Sequence, residues 1–404
     1  MTFEVRPAGD LGEYDAALMS IGQYFGMERN EEGAGRFARL LPIDRMHAAW
    51  DDGVVVGGAG AFPFPLSVPG GMLACAGTTV VGVAPTHRRR GVLRALMRAH
   101  IDDAHERGEP LAALWASEET IYGRFGYGPA AFAGEVTIPK EHVAFAVPHE
   151  RTGTMRIIER EEALDAFPPV WEALARERPG VFGRSPDWWS GRALDDPPDR
   201  RGGAGPKRFA LLELDGAPAA YAIYRHQMSW EAGSSTGKVV VVEAIGARRE
   251  AVADLWRYLL DIDWVASITA SLLPPDHPLF FILAQPRRAR YRSGDGLWVR
   301  LLDVGAALSG RTYPEDGEVV FDVRDAFCPW NEGRWKLADG TAERTDAEVD
   351  LALDVAVLGS AYLGGVGFAQ LAQSGHVEEL KPGAIERADG IFRHGLHPWC
   401  PEIF

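Results

Sequence analysis

The chain has 404 residues, of which 46% are hydrophobic and 25% charged, and its formal net charge is −15 at pH 7. These proportions are typical of a globular protein with two or three domains, and the negative charge argues against nucleic acid, which requires a basic face. The same charge favours a cationic amine as substrate, although acidity also serves solubility alone.

Cysteine usage and the N-terminal sequence indicate the cytoplasm. Cys75, Cys328 and Cys400 are scattered and odd in number, which predicts neither a disulfide framework nor a zinc site. The first residues include no basic segment followed by an apolar one, and no stretch of the chain approaches about 18 apolar residues. We therefore expect a cytoplasmic protein without a membrane span.

The first part of the chain predicts short strands and turns. Residues 48–50 and 54–56 are apolar runs on either side of Asp51-Asp52-Gly53, which is a hairpin turn signal. Residues 57–60 are rich in glycine and residues 63–69 in proline, which predicts a break before the next strand. We expect this part to form an α/β unit with a mixed sheet.

The most informative segment connects that sheet to a helix. The β-branched residues 78–81 lead through a turn at Pro85 into Arg88-Arg89-Arg90-Gly91, and residues 92–97 then open an amphipathic helix. The N–H groups of a helix N-terminus attract anions, arginines would neutralise a diphosphate, and Gly91 would let the backbone approach it. An isolated run of three arginines is more often a solvated turn, so the segments that follow decide between the two interpretations.

A second part of the chain repeats this order in degraded form. Residues 209–214 and 217–224 flank the hairpin turn Asp215-Gly216, and residues 239–245 lead through Arg248-Arg249-Glu250 into a helix at 251–260. The turn has no glycine after its arginines and ends in a glutamate where a diphosphate would lie. This pattern predicts an internal duplication whose second copy can no longer bind a diphosphate-containing cofactor.

The last part of the chain predicts a smaller α+β domain with an ordered tail. Two strands are expected at 318–323 and 333–337, and helices at 354–358, 367–373 and near 382–386. The tail, Pro398-Trp399-Cys400-Pro401-Glu402-Ile403-Phe404, is apolar and stiff for a chain end, so we expect it to be docked.

Three ordered segments carry a family resemblance: residues 83–97, residues 111–118, and residues 121–128, which read Ile-Tyr-Gly-Arg-Phe-Gly-Tyr-Gly. Together they resemble the Eis (enhanced intracellular survival) family of GNAT N-acetyltransferases, and the likeness extends over the whole chain. The general GNAT loop, Arg/Gln-x-x-Gly-x-Gly/Ala, would read from Arg88 to Leu93 here, with Leu93 in place of the second small residue.

The resemblance implies both a fold and a chemistry. The fold would be α/β (α+β), with two tandem GNAT-like domains built on mixed sheets at 1–150 and 151–295, and a sterol-carrier-like α+β domain at 296–404. The implied activity is transfer of acetyl from acetyl-CoA to an amine of a cationic substrate such as an aminoglycoside. It would proceed by direct attack, without a metal, in a homohexamer.

The resemblance also implies which residues hold acetyl-CoA. They lie on the edge of the predicted strand, in the loop and first helical turn, and at the end of the next strand: Val81, Gly82, Val83, Arg89, Arg90, Gly91, Val92, Leu93, Arg94, Ser117 and Glu118. Ser117 is also a credible helix N-cap, because it precedes two glutamates, and the two roles are compatible.

For the chemical step, the family likeness implies Tyr122 as the acid that protonates the departing thiolate. A phenol titrates near 10 and is protonated at pH 7, and residue type alone would rank Tyr127 equally. The implied base is the terminal carboxylate of Phe404, whose basicity burial would raise. A core role for both tyrosines is the plain alternative.

The amine pocket stays open at this level. Glu28, Asp44, Glu118, Glu119 and Glu402 are candidates to pair with a cationic substrate, and Trp188, Trp189 and Trp399 could line the pocket or belong to the core. Two alternatives remain: a lysine N-acetyltransferase acting on proteins or peptides, and an acyl-CoA-binding or lipid-binding protein without catalysis.

Overall fold

A computed structural model describes residues 3–28 and 30–404. Its strands, in chain order, are β1 Glu4–Pro7, β2 Met46–Asp51, β3 Val54–Val68, β4 Gly71–Val83, β5 Leu111–Trp115, β6 Gly128–Pro129, β7 Phe132–Pro139, β8 Thr154–Ile158, β9 Arg208–Leu214, β10 Ala217–Gln227, β11 Trp230–Glu231, β12 Ser234–Ser235, β13 Lys238–Gly246, β14 Ser267–Leu273, β15 Arg292–Asp295, β16 Leu297–Leu301, β17 Glu318–Arg324, β18 Gly333–Ala338, β19 Thr341–Arg344, β20 Leu351–Asp354 and β21 Val377–Glu379.

The helices are α1 Leu11–Gly22, α2 Glu31–Ala38, α3 Val92–Glu106, α4 Glu119–Tyr122, α5 Arg160–Glu177, α6 Pro186–Trp188, α7 Arg249–Asp261, α8 Leu279–Ile282, α9 Val304–Ser309, α10 Val355–Ala361, α11 Phe368–Gln373 and α12 Ala384–Phe392. Among the described residues, no helix is both long and apolar enough to cross a membrane.

The chain forms two compact units. The first comprises the described residues up to Ala130, then Leu297–Gly395 and Ile403–Phe404, and the second comprises Ala131–Gly296 and Leu396–Glu402. The first unit contains a seven-stranded mixed sheet in the order β1-β2-β3-β4-β5-β16-β6 and a five-stranded sheet in the order β19-β18-β17-β20-β21. The second unit contains a seven-stranded sheet in the order β15-β7-β14-β13-β10-β9-β8.

The two large sheets exchange strands along the chain. Strand β7, which the sequence places in a first domain ending at residue 150, lies in the second sheet between β15 and β14. Strand β16, which the sequence places in the third domain, returns to the first sheet between β5 and β6. The sheets therefore divide the chain near residues 130 and 296, and the first unit contains three separate chain segments.

The expected break between β2 and β4 is wrong, because β3 continues from Val54 through the glycines and prolines to Val68. The glycines serve packing: a Cβ on Gly58 would lie 2.3 Å from the backbone oxygen of Ala17 in helix α1. The prolines are tolerated because β2 pairs with β3 only as far as Gly60, and beyond that point no described strand pairs with this edge of β3.

Candidate active site

The first sheet opens where strands β4 and β5 part. Their parallel pairing covers Cys75, Ala76 and Gly77 on β4 and ends there. Just beyond, the register between β3 and β4 shifts, and Val80 takes a left-handed conformation with φ of 47°. Such a conformation costs a β-branched residue on the order of 1–3 kcal/mol and is found mostly where function requires it. The splay directs backbone groups of β4 away from the ladder with β5.

The loop after β4 has the geometry of an anion cradle. Gly91 adopts φ of 93°, and helix α3 begins at Val92 without a side-chain cap, so its first N–H groups have no partner within the helix. Arg88, Arg89 and Arg94 are exposed around this turn. These residues fit a diphosphate with backbone donors, helix dipole and positive charge together.

One arginine of the loop is partly engaged elsewhere. Arg90 donates to the carboxylate of Asp51 at 3.0 Å, and His87 lies 3.0 Å from the same oxygen. Asp51 ends strand β2, so these contacts connect the loop to the hairpin beside it. A ligand could still reach Arg90, because about a third of its side chain (35%) is exposed.

Tyr122 ends the short helix α4 and lies in the apolar cluster that also contacts Val81 and Leu93. Burial, with a smaller contribution from the charge of Glu118, raises the pKa of Tyr122, and a hydrogen bond with Ser117 acts in the opposite direction. The phenol is therefore protonated at neutral pH. The alternative interpretation expected Ser117 to be the N-cap of this helix, but the N-cap is Glu118, and its side chain makes no capping hydrogen bond.

Tyr127 has a different environment from Tyr122. It is fully buried, and its hydroxyl lies 2.9 Å from Thr78 Oγ1, which in turn lies 2.7 Å from His100 Nε2. Burial lowers the pKa of His100 to about 3, with help from the neighbouring His47 and Arg45, so its ring is neutral. This network ties strand β4 at the splay to helix α3 and to the tyrosine loop. Tyr127 thus has its hydrogen-bond partner Thr78 within the core, whereas Tyr122 is hydrogen-bonded to Ser117, just after the end of β5.

The last residue of the chain lies beside the same splay. Phe404 is buried, and its ring packs edge-on against Phe64, with centroids 4.9 Å apart, and Phe62. The hydroxyl of Thr79, next to the left-handed Val80, donates to an oxygen of Phe404 at 3.4 Å. The expected docking of the tail is therefore confirmed at its final residue.

Comparisons with known proteins decide the family. Acetyltransferase (GNAT) domain families match residues 4–130 and 180–301, and a sterol carrier protein domain family matches 304–401. N-acetyltransferase Eis of Mycobacterium tuberculosis is 34% identical over 399 residues, which cover 94% of each chain. The chain belongs to the Eis family. An N-acetyltransferase of Streptomyces avermitilis is also similar, with 42% identity over 97% of this chain and 96% of that protein.

A solved Eis structure has the same fold. Eis1 of Mycobacterium abscessus superposes with a TM-score of 0.86 at 31% identity, covering 99% of this chain and 100% of that one. The predicted fold class, two GNAT domains with mixed sheets followed by a sterol-carrier domain, is confirmed. As an Eis-family protein, the chain is an N-acetyltransferase.

The Eis-family fold brings some predicted residues together and separates others. Val81, Leu93 and Tyr122 share one cluster, and Phe404 contacts Thr79 beside them on the same strand. Two acids proposed for the amine pocket already have partners: Asp44 pairs with Arg107 at 3.1 Å, and Glu402 pairs with Arg184 and Arg192 in the second unit.

The sequence interpretation missed Thr78, Thr79 and His100. The two threonines lie within the β-branched run that predicted the strand, but their roles depend on partners 22 to 325 residues away. His100 sits on the inner face of the amphipathic helix, where a buried polar residue is the only local signal.

Proposed function

We propose that this N-acetyltransferase uses acetyl-CoA to acetylate an amine of a cationic substrate such as an aminoglycoside. The amine would attack the thioester directly, without a covalent enzyme intermediate. The terminal carboxylate of Phe404 would accept the proton of the amine, and Tyr122 would protonate the departing thiolate. Acetyl-CoA would be held by Val81–Val83, Arg89–Arg94, Ser117 and Glu118.

The observation that carries the proposal is the position of the chain terminus. Phe404 is buried, and its oxygen accepts a hydrogen bond from Thr79, which lies two residues after β4 stops pairing with β5 at Gly77. A carboxylate removed from water becomes a better base, and one held beside an open strand edge can meet an amine that binds there.

The reaction needs an acid that holds a proton, which would be Tyr122, and a base that accepts one, which would be the carboxylate of Phe404. The pKa of Tyr122 is raised by its burial and by the charge of Glu118, so the phenol keeps its proton until a strongly basic thiolate forms. When coenzyme A leaves, Tyr122 would protonate its sulfur, and the tyrosinate formed would regain a proton from water. The carboxylate of Phe404 then returns the proton of the amine to water.

The net charge of −15 supports a cationic acceptor, because an acidic surface attracts cations during encounter. A lysine side chain of a peptide carries the same charge and is the second candidate. The homohexamer and the cytoplasmic location implied by the family likeness belong to this proposal as well, and sedimentation velocity would test the former.

The test measures free thiol released from acetyl-CoA with a panel of aminoglycosides and, under equal conditions, lysine peptides. The full chain is compared with a variant that lacks only Phe404. The matched control is Ile403→Ala, because Ile403 is 52% exposed and its truncation keeps the terminal carboxylate on Phe404.

We expect turnover with aminoglycosides that collapses in the truncated chain but not in the control, with unchanged affinity for acetyl-CoA. Turnover that survives removal of Phe404 would refute the carboxylate as base. Faster acetylation of peptides would favour the lysine alternative. Binding of acetyl-CoA without acetylation of any amine would favour a protein that only binds acyl-CoA.

A further inference from the structure

Residues Leu396–Glu402 of the tail belong to the second unit and make their contacts there. The backbone N–H of Trp399 donates to the Pro179 oxygen at 2.8 Å, and its indole N–H donates to the Leu272 oxygen. The backbone N–H of His397 donates to the Asp276 carboxylate at 3.0 Å. Gly180 allows the close fit, since a Cβ there would lie 3.1 Å from the backbone of Trp399.

Glu402 is the most strongly held residue of this segment. One oxygen accepts from Arg184 at 2.6 Å and from the Trp188 indole at 2.9 Å, and the other accepts from Arg192 at 3.1 Å. Arg184 is fully buried and also pairs with Glu243, whose carboxylate accepts from the Tyr221 hydroxyl. Charge-assisted hydrogen bonds of this kind are the strongest that side chains form.

Aromatic side chains enclose the guanidinium of Arg184. It stacks over Trp171 at 3.4 Å and Trp189 at 4.6 Å from the ring centroids. Burial alone would lower the pKa of Arg184, but Glu243 and Glu402 outweigh it and raise the pKa. The cation is therefore permanent, and one of the two carboxylates that pair with it belongs to the tail.

The place of this contact within the second sheet is informative. Strands β13 and β14 pair in parallel only as far as Val241 and Ala270, and the register between β10 and β13 shifts just before Glu243. The first sheet opens in the same manner between β4 and β5. The second GNAT fold therefore has the opening but fills it with Glu243, Arg184 and the tail of its own chain.

We propose that Arg184 is a positioning residue, which holds Glu402 so that the terminal carboxylate two residues later has one location. Two residues span at most about 7 Å, so the anchored glutamate restricts the carboxylate to a small volume. The second GNAT domain would thus have exchanged cofactor binding for tail binding. This inference rests on the proposed role of Phe404.

A free tail would sample many conformations and present its carboxylate to the amine only rarely. Correct orientation of a reacting group is worth large rate factors, and a displacement of about 1 Å can cost on the order of 100-fold. Loss of the Arg184 contact should therefore lower kcat by roughly 10- to 100-fold. Acetyl-CoA affinity should stay within about twofold, because the Arg184 contacts with Glu243, Glu402 and the two tryptophans do not involve the residues proposed to hold the cofactor.

The main variant is the double substitution Arg184→Met and Glu243→Gln, which removes the buried ion pair as a whole and leaves no uncompensated charge between them. Glu402→Gln is the second variant, because it weakens the tail contact while the pair of Arg184 with Glu243 stays intact. Arg225→Met is the matched control: Arg225 is a buried arginine of the same unit that pairs with Asp196 and not with the tail.

Two readouts separate positioning from general damage. Carboxypeptidase should release Phe404 at least tenfold faster from the double variant than from the wild type or the control. In a chain that already lacks Phe404, the double substitution should cause no further loss of kcat, since it acts through that residue.

Equal resistance to carboxypeptidase in all variants would overturn tail anchoring. A full additional loss of kcat in the truncated chain would overturn the positioning role, even if the tail is released. If the wild type acetylates no amine, the proposed function fails, and the carboxypeptidase comparison alone then decides whether Arg184 anchors the tail.

Discussion

His100 makes the stability of the first unit sensitive to acid. Its ring is fully buried between Thr78 and His47, and the pKa of His100 is lowered to about 3 from its ordinary value of 6.5. Below pH 6.5 the unfolded chain therefore takes up a proton that the folded chain refuses. The contribution of His100 to the free energy of unfolding is therefore complete above this pH. It falls as the pH drops towards 3, by up to about 1.4 kcal/mol per pH unit.

At pH 5 the expected loss from this one residue is about 2 kcal/mol, because pH 5 lies about 1.5 units below the unfolded pKa. The assay is urea unfolding at pH 7 and pH 5 for the wild type and His100→Gln, which keeps a polar partner for Thr78. The wild type should lose about 2 kcal/mol more than the variant between the two pH values. Carboxylates elsewhere contribute equally to both proteins and cancel in the comparison.

The reasoning is wrong if the two proteins lose the same free energy on acidification. It is equally wrong if the His100 ring carbon resonance of the folded protein titrates between pH 7 and pH 5. A ring that gains a proton in that range cannot be the neutral, desolvated group that the network with Thr78 and Tyr127 requires.

Two further predictions concern the site and its scaffold. Tyr122→Phe should lower kcat by about 10²- to 10⁴-fold, as loss of a general acid does, with the KM for acetyl-CoA retained in steady-state thiol-release assays. A fall confined to KM would instead assign Tyr122 to binding. Gly58→Ala should cost about 1–3 kcal/mol and lower the melting temperature, because its Cβ would meet the Ala17 oxygen at 2.3 Å. Gly71→Ala is the control and should melt like the wild type, because a Cβ added at Gly71 would have no atom within 4 Å other than those of its chain neighbours.

The contrast between the two GNAT folds shows how one scaffold serves two purposes. In the first, β4 and β5 part beside a turn in which Gly91 and exposed arginines leave room for an anionic ligand. In the second, the corresponding opening contains a fully buried cation, Arg184, whose second carboxylate comes from residue 402. Under our proposal, the second domain contributes to the reaction by fixing part of the chain.

The sequence by itself determined the features that depend on a few neighbouring residues. The turns at Asp52-Gly53 and Asp215-Gly216 and the start of helix α3 at Val92 follow from local backbone preferences, and the structure has each of them. The family motifs around Tyr122 could be recognised from the sequence for the same reason, because their residues lie within one strand, one turn and one short helix.

Only the tertiary structure decided the contacts between distant residues. Strand β16 enters the first sheet 182 residues after β5 ends, Thr79 meets Phe404 across 325 residues, and Arg184 meets Glu402 across 218. Glycines and prolines that read as a break in β3 were instead places of close helix packing and an unpaired edge. Such contacts result from the packing of whole helices and strands. The local sequence around each partner is the same whether or not the contact forms, so it cannot predict the contact.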